Sequence, residues 1–131
     1  VEIEFTHKSD AHRRLCIQKD LNELSHWIDT LSEVNNEIEH LKVIEKQLLK
    51  NNNIETNLLG FRRKNTLVIG MLCKYEQELK TEFDYGKKGY DHVRAKEHEK
   101  KRNMYSTFVT EFNEFRSKVY TALTKFRRTS L

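Results

Sequence analysis

The sequence predicts an all-α fold, an elongated antiparallel three-helix bundle with a coiled-coil-like seam. Three observations predict it. The 131 residues contain no proline and only 4 glycines, and proline is the strongest helix breaker. Apolar residues recur at three- and four-residue steps along most of the chain, the spacing that lines one face of a helix. Hydrophobic residues make up 37% of the chain and charged residues 34%. That balance suits a narrow seam rather than a thick core.

The first nine residues alternate apolar and polar at Val1, Ile3 and Phe5, and residues 1–9 are expected as a flexible N-terminal arm. Residues 10–131 are expected as one helical bundle. Ser9 or Asp10 can cap a first helix over about 10–51, ended by three consecutive asparagines. Its apolar residues fall into heptad classes: Ile17, Leu24, Leu31 and Ile38 in one, Trp27, Val34, Leu41 and Leu48 in another. Leu21 and Ile28 widen the stripe, so this helix should face two neighbours.

Asn52, with Glu55 three residues on, resembles a capping box and opens a second helix over about 54–85. Its seam is Ile54, Leu58, Phe61, Asn65, Val68, Leu72, Tyr75 and Leu79. Asn65 is the single polar member, and a buried Asn in such a seam sets register or partner specificity at a cost in stability. Gly86 and Gly89 mark the next break, where a left-handed glycine is expected to end the helix. A third helix over about 90–128, capped by Asp91, carries Met104, Phe108, Phe112, Phe115, Val119, Leu123 and Phe126 on its stripe. Its first dozen residues are almost wholly polar and are expected to be solvated or to overhang the bundle.

Short connections make sequential helices antiparallel, so the first and third should run parallel. Charge agrees. Residues 1–53 carry a net −3, residues 54–85 none, residues 86–103 +4 and residues 104–131 +3. An acidic first helix beside a basic third one disfavours packing two first helices together.

Functional signals are sparse. Cys16 and Cys73 have no paired spacing, which points to reduced thiols and a cytoplasmic setting. The longest apolar run, Leu67 to Cys73, is far short of a membrane span. Val1 in place of Met is what a piece of a longer protein would have. Glu23-x-x-His26 and Glu37-x-x-His40 match the element that di-iron bundles place on two different helices. Here both lie on one helix, roughly 20 Å apart, and read as flank or solvated positions. His92, His98 and Glu99 lie in a charged stretch; the two histidines, six residues apart, are not on one helical face, and no cysteine pair completes a zinc site. No nucleophile has a local catalytic signature. The expectation is therefore no enzyme, no catalytic residue, no metal site and no cofactor.

Three surface features remain. Leu59, Gly60, Thr66, Leu67, Gly70 and Cys73, with Met71 beside them, project away from the second-helix seam and form a candidate partner-binding strip. Arg62, Arg63 and Lys64, together with Lys100, Lys101 and Arg102, form a candidate basic surface. Arg127-Arg128-Thr129-Ser130 fits a basophilic kinase site, with Thr129 and Ser130 as phosphorylation candidates.

The stretch Leu24-Ser25-His26-Trp27-Ile28, with Ile17 ten residues before the Trp, resembles the first-helix pattern of spectrin-type three-helix repeats. The resemblance covers about a dozen residues. The third helix lacks that family's Trp and the first helix is longer, so the likeness is one of shared bundle geometry. Taken together the sequence predicts a protein–protein interaction, scaffold or adaptor module of a cytoskeletal or trafficking assembly. Its expected partners are other helical proteins or a second copy. The alternative is a basic helical module that binds nucleic acid or anionic lipid.

Overall fold

A computed structural model describes residues 2–130, with side chains for residues 8–126. Three helices follow one another: α1 (Glu2–Ile44), α2 (Asn52–Tyr85) and α3 (His92–Ser130). A π turn, Glu45–Leu49, ends α1. No strand occurs among the described residues. At 1.5 Å per residue the 43 residues of α1 reach about 65 Å.

Helix α1 begins at Glu2 and takes in the segment expected as an arm. No proline or glycine stands between residues 2 and 9 to break it, so Ser9 and Asp10 are interior rather than capping. Val1 and the side chains of Ile3 and Phe5 lie outside the described residues.

The far end of α1 also departs from expectation. In the π turn the Lys50 N–H donates to the Glu45 carbonyl, 2.7 Å away, which inserts an extra residue into the helical pitch. The heptad register breaks there: Leu48 is exposed, while Leu49 packs against the core. Lys50 then adopts the left-handed conformation, φ 46°. The residue that caps α2 is Asn51, one position earlier than expected. Its side chain accepts from the N–H groups of Asn53 (2.9 Å) and Ile54 (3.2 Å).

The seam of α2 forms as read. Leu58, Asn65, Val68, Leu72, Tyr75 and Leu79 are buried, with Ile54 and Phe61 packed against them. Phe61 lies 4.9–6.1 Å, centroid to centroid, from Phe108, Phe112 and Phe115 of α3. Phe126, level with the end of α1 by the register of the Glu37–Tyr120 hydrogen bond, is exposed.

Gly86 ends α2 as expected, but not by a left-handed turn. Its φ is −69°, open to any residue. What it lacks is space: a Cβ there would stand 2.5 Å from the Glu82 carbonyl oxygen and 3.1 Å from an Arg13 guanidinium nitrogen. Arg13, only 2% exposed, reaches from α1 to donate to the Glu82 carbonyl, while Asp10 accepts from it at 2.8 Å. Helix α2 has no basic residue in its own last turn. Arg13 therefore supplies from a neighbouring helix the positive charge that a helix C-terminus favours. At the start of α3, Asp91 caps as expected, accepting from the Arg94 N–H at 3.0 Å.

Candidate functional site

The expected partner-binding strip does lie on the outside of the bundle. Leu59, Leu67 and Met71 are 46%, 67% and 48% exposed. Gly60, Thr66, Gly70 and Cys73 are exposed beside them. A Cβ at Gly60 or Gly70 would meet nothing within 4 Å, so no contact inside the bundle requires either glycine. Thr66 satisfies its hydroxyl on the Arg62 carbonyl at 3.0 Å.

Four of the six residues of the candidate basic surface are ion-paired. Arg62 pairs with Glu39 of α1 at 3.3 Å and Lys64 with Glu111 of α3 at 2.8 Å. Lys101 pairs with Glu97 at 2.9 Å and Arg102 with Glu23 at 2.7 Å. Arg63 and Lys100 are exposed. The side chains of Thr129 and Ser130 lie outside the described residues. His26 and His40 are exposed; Glu23 and Glu37 turn instead towards α3, Glu37 accepting from the Tyr120 hydroxyl at 2.9 Å.

The N-terminal part of α3 is largely exposed as expected, but it does not overhang the bundle. It closes over α1 and α2 through a buried polar cluster. His98 is 2% exposed and Asp20 6%. The two ring nitrogens of His98 are both engaged: Nδ1 with the Tyr75 hydroxyl at 2.8 Å, Nε2 with Glu23 Oε1 at 2.7 Å. Asp20 Oδ1 lies 3.5 Å from Nε2, and Asp20 Oδ2 accepts from the Tyr90 hydroxyl at 2.5 Å. Carboxylates only accept, so without a cation Nε2 carries a proton. Trp27 stacks on the His98 ring at 5.1 Å and on Tyr105 at 5.4 Å.

The charges around the cluster reinforce one another. Hydrogen bonding from Arg102 holds the Glu23 carboxyl below the usual carboxylate range against the opposing pull of burial. Burial, and then the negative charge of Asp20, pushes the Tyr75 phenol well above its ordinary value. Tyr90 shifts the same way, by burial and its hydrogen bond to Asp20. Tyrosine, histidine and carboxylate stand in the order of a nucleophile–base–orienter relay, but both phenols stay protonated. The arrangement is built to hold a proton or a cation. A cleft of about 580 Å³, lined by Asp20, Tyr75, Leu79, Tyr90, Arg94 and Glu97, opens beside it.

The sequence carried a signal for this cluster. Arg13 and Asp20 continue the class Trp27, Val34, Leu41 backwards by sevens, and His98 continues Tyr105, Phe112, Val119. All of these are buried except Tyr105, which is partly so. No helix among the described residues is long and apolar enough to cross a membrane. The chain matches no family model, no curated protein and no solved structure.

Proposed function

We propose that the protein is a non-enzymatic interaction module, a scaffold or adaptor segment that docks an acidic amphipathic helix of a partner along the outer face of α2. The observation that carries this reading is the exposed row of Leu59, Leu67 and Met71, set beside two glycines that the bundle itself does not need. Each helix-interior glycine costs about 1 kcal/mol relative to alanine, and close approach of another backbone is a reason to keep it. Arg63 lies one turn before Leu67 and Lys74 two turns after it, both exposed; no ion pair engages them among the described residues. An apolar stripe interspersed with cations complements an apolar stripe that carries carboxylates.

A cytoplasmic assembly of cytoskeletal or trafficking type is the setting we favour. The free thiols of Cys16 and Cys73 suit a reducing compartment, and an elongated bundle suits a spacer.

The test is binding of a synthetic helical peptide with leucines at i, i+4 and i+7 edged by glutamates. Wild type should bind it in a salt-sensitive manner, and Gly70→Glu, at equal helicity, should not. Equal binding of a lysine-edged analogue, or no loss in Gly70→Glu, would overturn the reading. A doubled mass in sedimentation that Gly70→Glu abolishes would make the occupant a second copy. Sub-micromolar binding to duplex nucleic acid or anionic vesicles at physiological salt, lost when Lys100, Lys101 and Arg102 are neutralised, would install the polyanion reading instead.

A further inference from the structure

Three side chains from two helices converge in the cluster beside the cleft, of which Asp20 lines the cleft itself. Ligand atoms of Asp20, Glu23 and His98 all lie within 4.8 Å of one another. We propose that they form a binding site for a divalent transition-metal ion of the zinc class, with three of its positions filled by the protein.

The geometry is close to what such an ion requires. Tetrahedral zinc with bonds of about 2.0–2.1 Å holds its ligand atoms about 3.3 Å apart. Asp20 Oδ1 already stands 3.5 Å from His98 Nε2. Glu23 Oε1, at 2.7 Å, must retreat by roughly half an ångström to reach that spacing. Its side chain is partly exposed and has room to move. The ion takes the place of the Nε2 proton, which passes to water.

The independent observation is the outer ring of partners. Histidines that bind metals through one nitrogen commonly hydrogen-bond through the other, and ligating carboxylates are themselves hydrogen-bonded. Here the Tyr75 hydroxyl holds Nδ1 and the Tyr90 hydroxyl holds the second oxygen of Asp20. Stacking on Trp27 fixes the imidazole plane. Nε2, Oδ1 and Oε1 are thereby left facing one another. One nitrogen and two carboxylate oxygens suit zinc, iron or manganese better than magnesium or calcium, which favour oxygen alone. Arg102 works against the ion, because its guanidinium bonds both oxygens of Glu23 at 2.7 and 3.1 Å.

The experiment is calorimetry and thermal melting of the chelator-treated full chain with Zn²⁺ alone, and with Mg²⁺ for comparison. His12 and Cys16 form an exposed pair 3.7 Å apart, so the measurements use a His12→Ala, Cys16→Ser background. We expect one Zn²⁺ per chain, a raised melting temperature, and no response to Mg²⁺. Tyr75→Phe should weaken zinc roughly ten- to a hundredfold, and Asp20→Asn by more. Arg102→Gln should tighten it, an effect that an ion-pair network with no metal would not produce. Glu23→Gln, at the exposed edge of the cluster, reports the same loss if Asp20→Asn does not fold. Absence of zinc binding in the background protein, or binding unchanged in folded Asp20→Asn or Glu23→Gln, would overturn the site.

Discussion

The side-chain amide of Asn65 in α2 donates to the main-chain carbonyl of Leu31 in α1, 3.0 Å away at the buried centre of the bundle. Asn65 has no exposed surface, and its Oδ1 is buried without a hydrogen-bond partner among the described residues. The bond therefore fixes the level at which α2 lies against α1 while leaving one acceptor unsatisfied. Such an acceptor costs about 1–3 kcal/mol.

Asn65→Leu should accordingly raise stability by about 1–2 kcal/mol and loosen the α1–α2 register. Denaturant melts measure the first effect, and amide exchange around Leu31 measures the second. A sharp fall in melting temperature would show that the amide bond outweighs the orphaned oxygen.

Two glycines should respond in opposite ways. Gly86→Ala drives a Cβ towards the Glu82 carbonyl and the Arg13 guanidinium, so it should destabilise by about 1–3 kcal/mol, as overpacking does. Gly70→Ala meets nothing and should stabilise by up to about 1 kcal/mol. Chemical denaturation of the pair checks both signs at once.

Lys50 holds a left-handed backbone, φ 46°, that costs a residue with a Cβ about 1–2 kcal/mol. Lys50→Gly should recover about 0.5–1 kcal/mol after the entropy that glycine loses on folding. An unchanged or lowered midpoint would mean that the lysine side chain stabilises the turn by a comparable amount.

Alkaline pH should unfold the protein early. Tyr75 and Tyr90 are pushed up by burial and by Asp20, and Tyr120 by its hydrogen bond to Glu37. In the unfolded chain these phenols ionise near 10. The folded chain thus binds more protons than the unfolded chain above that pH, and stability falls as pH rises past about 10. Melts between pH 8 and 11.5 should show this, with a shallower decline in Tyr90→Phe.

The seam was legible because packing repeats every seven residues, and all eight α2 positions read from that repeat face inward. The break at Leu48 was not, because a π turn leaves no residue-type signature in Glu45–Leu49. The polar cluster was hidden for a different reason. Arg13, Asp20 and His98 sit in core positions, but their charge makes them look solvated until partners 69 to 78 residues away are known. Of the candidate strip, the direction away from the seam was legible from the helical wheel, and its exposure was not, because a central helix covered by both neighbours has the same pattern.

The parallel course of α1 and α3, fixed by Glu23 beside Arg102 and Glu37 beside Tyr120, places Glu2 and Ser130 towards opposite ends of the rod. Tension applied through those ends would run along the helix axes and slide the helices past one another lengthwise. Sliding strains the whole seam at once, whereas peeling opens it one layer at a time. Arg13 on Glu82, His98 on Glu23 and Asn65 on Leu31 are the cross-links that such a load would meet.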